Sequence, residues 1–325
     1  MRKKPVYIYS LIYELSKNSR SKKKAISRKL KISPQLVGYS TEKLKSTKQI
    51  TGFTVQIDPA KFGLINVALF FVFTTFEKEK REAILSYINK SDYVVLAEEM
   101  GNGADLFVEY SVPNLSFFNK KHMEFMGKFH KEIQVLAVYP IIVKHNLSKK
   151  FLHPRSKERI HKIISGDRLL FKLQSNEKKI IEQLIRNPKA TILDISKQTD
   201  LNVRTIMRIK KKLEQQQIIM GYSVILNKPM IGIKACMVLI NLKHMMPKDL
   251  NRIVSFAMIV PEITWVIKIL GRYSFLIQIE TLKEYKTVVD LLRNQFKFHD
   301  YKVFEMAGTI KSTYLPPSLV HRVMW

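Results

Sequence analysis

The 325-residue chain has one cysteine, Cys236, so no internal disulfide can form and no cysteine-based metal spacing exists. Cys236 sits inside the apolar run 233–242, which predicts a buried structural thiol rather than a nucleophile. No apolar run is long enough to span a bilayer: the most apolar stretch, 62–76, is short and rich in β-type residues. The opening MRKKPVYIYSLIYEL imitates a secretory leader, but Glu14 and the polar residues after it break the pattern. No membrane partner is expected, and the location expected is cytoplasmic, on the nucleoid. Acid is also scarce. The 27 Asp and Glu face 56 Lys and Arg, leaving a net charge of +29, and such a field attracts polyanions.

What is present is a repeat. An offset of 169 residues aligns Leu11, Ile12, Leu15 and Asn18 with Ile180, Ile181, Leu184 and Asn187. The register holds through Gly52-Phe53 and Gly221-Tyr222 to Gly63-Leu64 and Gly232-Ile233. In the second copy, Ile180, Ile181, Leu184 and Ile185 mark one helix face, and a second helix is expected near 191–198. Asn202 can cap a third helix whose buried stripe is Val203, Ile206, Ile209 and Leu213. A β-prone segment follows at 218–226. Three helices and a strand make a winged helix-turn-helix. The first copy repeats this, with Ser33-Pro34 as cap and first helical position.

After each module the pattern becomes strand, helix, strand, strand, helix, strand, the order of a ferredoxin-like sandwich. The fold class expected is α+β: two winged helix-turn-helix and two ferredoxin-like βαββαβ domains in tandem. The boundaries are 1–58, 59–147, 168–228 and 229–325. Residues 148–167 form a basic linker with one short helix near 156–164.

The residues Leu201-Asn202-Val203-Arg204-Thr205 through Leu213, followed by Ile218-Ile219-Met220-Gly221-Tyr222, resemble the leucine-responsive/asparagine regulator (Lrp/AsnC) family. Ile32 to Val37, Leu44 and Ile50 to Phe53 carry the same pattern, and Leu270-Gly271-Arg272-Tyr273 is similar to the family's glycine hairpin. The resemblance covers nearly the whole chain outside the linker and termini, and implies an archaeal source, two copies of the family's fold and pairing of domains through their sheets. That pairing gives either an internal pseudo-dimer or a homo-oligomer. It also implies an amino-acid effector pocket at Gly101, Asn102, Asp105, Gly271 and Ser274. Ser274 replaces the hairpin's aspartate, and Asn102 stands where its glycine should, so effector binding is in question. No cofactor is expected.

The reading that follows is a sequence-specific double-stranded DNA-binding transcription regulator, not an enzyme. Arg204, Thr205 and Arg208 lie early in the third helix of the second module, where base edges are read. Their counterparts in the first module are Gln35, Leu36 and Tyr39. Lys22, Lys23, Lys24, Arg28, Lys29, Lys43 and Lys45, with Lys210, Lys211 and Lys212, are expected on phosphates. Two unlike reading heads imply an asymmetric pair of half-sites; the bland alternative for each helix is a solvated charged face.

Two other readings remain. One is a nonspecific architectural protein coating DNA. The other is an enzyme like the siroheme decarboxylases, which resemble the same two-domain plan and act on an anionic tetrapyrrole. The remaining signals are bland ones. His145, His153 and His161 are expected in a solvated linker rather than at a metal. Glu98 and Glu99 are consecutive on a probable strand, so they face opposite sides and make no carboxylate pair. Phe70, Phe71, Phe73 and Phe76 are expected in a sheet core.

Overall fold

The computed structural model describes residues 6–158, 160–242 and 246–322. Arg159 of the expected basic linker, the basic residues Arg2 to Lys4, and residue 243 of an expected strand lie outside the described residues.

Module one is α1 (Val6–Lys17), α2 (Lys23–Leu30), α3 (Pro34–Ser46) and β1 (Ile50–Ile57). The Ser33 side chain accepts from the Leu36 amide at 3.1 Å, so the cap forms as the sequence predicts. The first sandwich is β2 (Ile65–Phe73), α4 (Lys78–Lys90), β3 (Val94–Gly101), β4 (Leu106–Val112), α5 (Leu115–Phe129) and β5 (Ile133–Leu147). A short strand, β6 (His161–Ile164), follows. Module two is α6 (Ser175–Arg186), α7 (Ile192–Thr199), α8 (Val203–Gln215) and β7 (Ile219–Leu226), and Asn202 caps α8 through the Thr205 amide at 2.8 Å. A single turn, α9 (Lys228–Ile231), leads into the second sandwich: β8 (Lys234–Leu242), α10 (Asp249–Ile259), β9 (Ile263–Ile269), β10 (Phe275–Thr281), α11 (Lys286–Gln295) and β11 (Phe298–Ser312). A last helix, α12 (Pro317–Arg322), packs on α6.

The two sandwiches form one closed sheet. Strand order runs β2-β4-β3-β11-β8-β10-β9-β5, and β5 returns to β2, with β6 added beside β5. Closure depends on the two longest strands. β5 pairs with β2 through residues 133–141 and then overruns to pair with β9 through residues 141–146. β11 likewise pairs with β8 and then overruns onto β3. An eight-stranded barrel of this kind has an interior that side chains can fill or one small ligand can occupy. Sheet pairing therefore takes place inside one chain, through strand edges.

Alternation along the strands sorts residues to two sides. Val67, Leu69 and Phe71 of β2 face outward to α4 and α5, while Ala68 and Phe70 face the barrel interior. Across the barrel, Cys236, Val238 and Ile240 face outward, and Ala235, Met237 and Leu239 face inward. Cys236 is buried as expected, and burial pushes its thiol up to about 12. Phe70 and Phe71 are core residues, but Phe76 lies beyond the strand end and is 95% exposed, against the expectation for it.

The wings differ from two separate winged modules. β1 pairs antiparallel with β7, from Ile50 opposite Leu226 to Ile57 opposite Ile219. Val55 and Ile57 of β1 belong to the core that holds α6, α7 and α8, while Val224 and Leu226 of β7 belong to the core of α1, α2 and α3. Each module thus completes the other's apolar core, and the two are held as one unit. Arg20 reinforces the junction by donating to the Pro188 carbonyl at 3.0 Å and the Ala190 carbonyl at 2.5 Å.

The linker is more structured than its composition suggests. In place of a short helix near 156–164 it carries β6, whose Lys162 lies opposite Asn146 of β5. His145 is buried, not solvated; its Nδ1 lies 2.8 Å from His161 Nε2 with the rings stacked. Burial first, then the neighbouring His161, pulls His145 down to about 4. His153 is tied to Ser10 at 2.7 Å.

Candidate active site in the barrel mouth

The barrel interior is unlike at its two ends. One end is filled by Phe70, Phe107, Tyr139, Leu276 and Phe304. At the other end the inward positions of the same strands are Glu98, Glu109, Gln278 and Glu280, joined by Trp265 and Thr309. Here a cavity of about 170 Å³ opens toward solvent. The β1–β7 ribbon roofs it through Thr54, Gln56, Ser223 and Ile225, and Tyr314 of the tail completes the rim. The wing strands, which a winged helix-turn-helix offers to DNA, serve here as the cavity's cover.

The lining is strongly charged: Lys17, Lys144, Lys149, Lys162 and Lys228 surround Glu98, Glu109 and Glu280. Buried charges are tolerated when paired and hydrogen-bonded. Glu109 meets this with Lys144 and the Asn66 amide, both at 2.5 Å. Glu280 meets it with Lys149 and with Gln278 at 2.7 Å. Burial pushes the Glu280 carboxyl up, but Lys149 and Lys228 outweigh it and hold the group below its ordinary range.

Glu98 is the exception. It accepts from Thr309 Oγ1 at 3.0 Å on each oxygen and from Lys228 at 3.3 Å. Burial dominates over these partners, and the negative Glu280 nearby adds to it, so its carboxyl is held above the usual carboxylate range. Two carboxyls pushed apart by their surroundings are the arrangement that assigns one group as acid and the other as anion. Glu98 and Glu99 do face opposite sides, Glu99 being exposed, yet Glu98 finds its carboxylate neighbour on another strand of the other half. Sequence spacing carries no signal for that meeting.

The residues expected to read DNA lie elsewhere. Gln35 and Tyr39 are exposed on α3 and Leu36 is half-buried; Arg204 and Arg208 are exposed on α8 and Thr205 is half-buried. None of these lines the cavity. Among the expected phosphate contacts, Lys22, Lys23, Lys24, Arg28, Lys43 and Lys211 are exposed. Four others already hold carboxylates: Lys29 on Glu14 and Glu158, Lys45 on Glu42, Lys210 on Glu214, and Lys212 on Glu177. The expected effector residues are also remote from the cavity. Gly101 and Asn102 form a hairpin tip, and Asp105 turns back to accept the Phe73 amide at 2.7 Å. Ser274 accepts the Ile269 amide across its hairpin at 3.1 Å and donates its own amide to the Ile240 carbonyl of β8 at 2.9 Å, and Gly271, at φ +144, lets Tyr139 approach to about 3.0 Å of where a Cβ would stand. Among the described residues no group of three or more His, Cys, Asp or Glu is placed to hold a metal, and no helix is long and apolar enough to cross a membrane.

The helix-turn-helix and the whole chain match different things. Residues 173–220 match the family described as winged helix-turn-helix DNA-binding. Curated protein sequences contain no match. Among solved structures, the chain is similar over 97% of its length to 98% of the siroheme decarboxylase NirDL, at 12% identity and a TM-score of 0.57. The same decarboxylase in complex with an iron-uroporphyrin III analogue matches equally well, at 11% identity. An AsnC family transcriptional regulator from Agrobacterium tumefaciens matches 41% of this chain and 89% of its own, at 17% identity and a TM-score of 0.37.

At such identities the likeness is one of fold. It nonetheless overturns the expectation of a transcription regulator that is not an enzyme. That expectation rested on the basic charge, the third helices and the family resemblance, and the same fold over the whole length is found in an enzyme. Residues 173–220 match a DNA-binding family while the whole chain shares its fold with an enzyme, so the winged modules alone do not decide between the two.

Proposed function

We propose that this chain is an enzyme of the lyase class that takes an anionic, carboxylate-bearing tetrapyrrole into the barrel mouth and removes a carboxyl group as CO2. The observation carrying this reading is the roofed cavity with its five lysines and three buried glutamates, in a chain that matches a siroheme decarboxylase nearly end to end. The surplus of lysine over glutamate attracts an anionic substrate, and Trp265 offers a flat ring. Loss of CO2 leaves the bonding electron pair on carbon, and that carbon must then take a proton. Glu98, whose carboxyl burial holds above its ordinary range, stores that proton. Carboxylate plus proton gives C–H plus CO2, so the step balances without an oxidant, and the tetrapyrrole enters as substrate rather than as resident cofactor.

The test is anaerobic incubation of the purified chain with siroheme, followed by mass spectrometry of the tetrapyrrole. Loss of one or more CO2 units supports the reading; an unchanged mass with a bound tetrapyrrole removes the catalytic part of it.

A second activity is favoured by the family match at residues 173–220. We infer that α8 touches duplex DNA through its exposed Arg204, Arg208 and Lys211. An electrophoretic shift assay against random duplex, with Arg204→Ala and Arg208→Ala as variants, checks this; equal mobility of duplex with and without protein would remove it.

A further inference from the structure

One cavity lysine differs from the others. Lys144 and Lys149 hold Glu109 and Glu280, Lys228 lies 3.3 Å from Glu98 and 3.9 Å from Glu280, and Lys17 holds Glu14 and Glu158. Among the described residues Lys162 has no carboxylate within ion-pair distance. Its Nζ donates to a neutral acceptor, Gln56 Oε1. The Gln56 amide nitrogen donates in turn to Tyr314 Oη at 3.2 Å, which fixes the oxygen toward the lysine.

Three elements far apart in sequence build this corner: β6 supplies Lys162, the wing strand β1 supplies Gln56 and the tail supplies Tyr314. Opposite, β7 makes room. Gly221 has φ +148, and a Cβ there would stand 2.9 Å from Lys162 Nζ and 3.2 Å from Gln56 Oε1. A side chain at Gly221 would fill the space the ammonium group occupies. An ammonium group has three N–H donors, and one neutral acceptor leaves most of that capacity unused. Lys162 is half-buried, and a charge drawn partly out of water without an ionic partner is disfavoured unless an anion arrives or the proton leaves. Desolvation indeed lowers Lys162 to about 8.

We propose that Lys162 is the seat of an incoming carboxylate: a substrate carboxylate ion-pairs with it beneath the β1–β7 roof, oriented by Gln56 and Tyr314. The proposal rests on the enzyme reading for the identity of the substrate, but the seat itself is defined by geometry. The remaining lysines keep their glutamates, so one ligand carboxylate is positioned by a cation that has no internal competitor. This gives a polycarboxylate substrate a defined orientation inside a cavity whose other lysines have carboxyl groups beside them.

Two probes separate this proposal from the enzyme reading: iron-uroporphyrin III and the small acyclic tricarboxylate tricarballylate, each titrated calorimetrically. The proteins are wild type, Lys162→Gln, Lys162→Arg and, as a charge-matched control, Lys157→Gln on the exposed linker. The expected result is that Lys162→Gln weakens both probes about ten-fold or more, the size of one lost charge-assisted hydrogen bond. Lys162→Arg and Lys157→Gln should stay within about three-fold of wild type. Circular dichroism and thermal melting establish that each variant is folded. If iron-uroporphyrin III binds wild type and Lys162→Gln alike, the seat is overturned while the enzyme reading stands. If tricarballylate binds in a Lys162-dependent way but no tetrapyrrole binds, the seat stands and the enzyme reading falls. If neither probe binds wild type, both are overturned.

Discussion

The two ends of the barrel are built from the same strands and have opposite character. At the closed end, Phe70 is ringed by Phe304 at 4.9 Å, Phe107 at 5.1 Å and Tyr139 at 6.4 Å between ring centroids. At the mouth, two residues along β4 from Phe107, the inward position is Glu109. Position along a strand, with no change of fold, separates packing from chemistry. The apolar end holds the eight strands together by burial, which is large and nondirectional. That frees the mouth to bury charge in fixed geometry, where each group can be tuned by its neighbours.

The largest effect should come from the mouth and appear only in turnover. Glu98→Gln removes the stored proton and keeps the hydrogen-bond shape, so the rate of CO2 loss should fall by roughly 100- to 10,000-fold. Tetrapyrrole affinity and the melting temperature should stay near wild type. A variant with near-normal turnover would show that Glu98 belongs to the packing side of the comparison.

Phe70→Ala should have the opposite signature. It opens a cavity at the closed end and should cost about 3–5 kcal/mol in urea unfolding, while the affinity of any protein that remains folded is little changed. A loss below about 1 kcal/mol would mean that the apolar end does not carry the barrel.

Lys144→Met sharpens the contrast within the mouth. It strands Glu109 without its ion-pair partner and should cost about 3 kcal/mol, whereas Lys144→Met combined with Glu109→Leu should recover most of that loss. If the double variant were as unstable as the single one, the pair would be structural support rather than part of a binding surface.

The smallest effect is a pH dependence at Lys162. Its folded value, about 8, lies below its ordinary value of 10.5, so the folded state disfavours the charged form. The penalty is fully present below pH 8. It disappears as pH rises toward 10.5, so stability contributed by this group increases through that window. Lys162→Met should flatten this rise relative to wild type in melts taken across the window. An identical pH profile in the two proteins would mean that Lys162 is not desolvated, and the contrast with the paired lysines would be lost.

The order of elements was legible before any fold was known. Periodicity, the caps at Ser33 and Asn202 and the repeat at an offset of 169 residues fixed two helix-turn-helix modules and two βαββαβ units, because those signals are local or repeat within the chain. The family resemblance added the expectation of a DNA-reading protein, and that expectation followed the modules rather than the cavity. The site was almost illegible, and β4 shows why. All seven of its residues are buried, so its pattern cannot tell barrel interior from helix-facing side, and Glu109 in its middle gives no sign of a partner. Lys144, Lys162 and Lys228 look like three more cations in a chain with 56. Long-range packing set the rest: β5 and β11 overrun into the other half, two wings pair as a roof, and Lys162 faces the cavity with no carboxylate among the described residues in ion-pair reach. Each of those outcomes depends on contacts between residues a hundred or more positions apart, and no local propensity encodes the place where two distant strands meet.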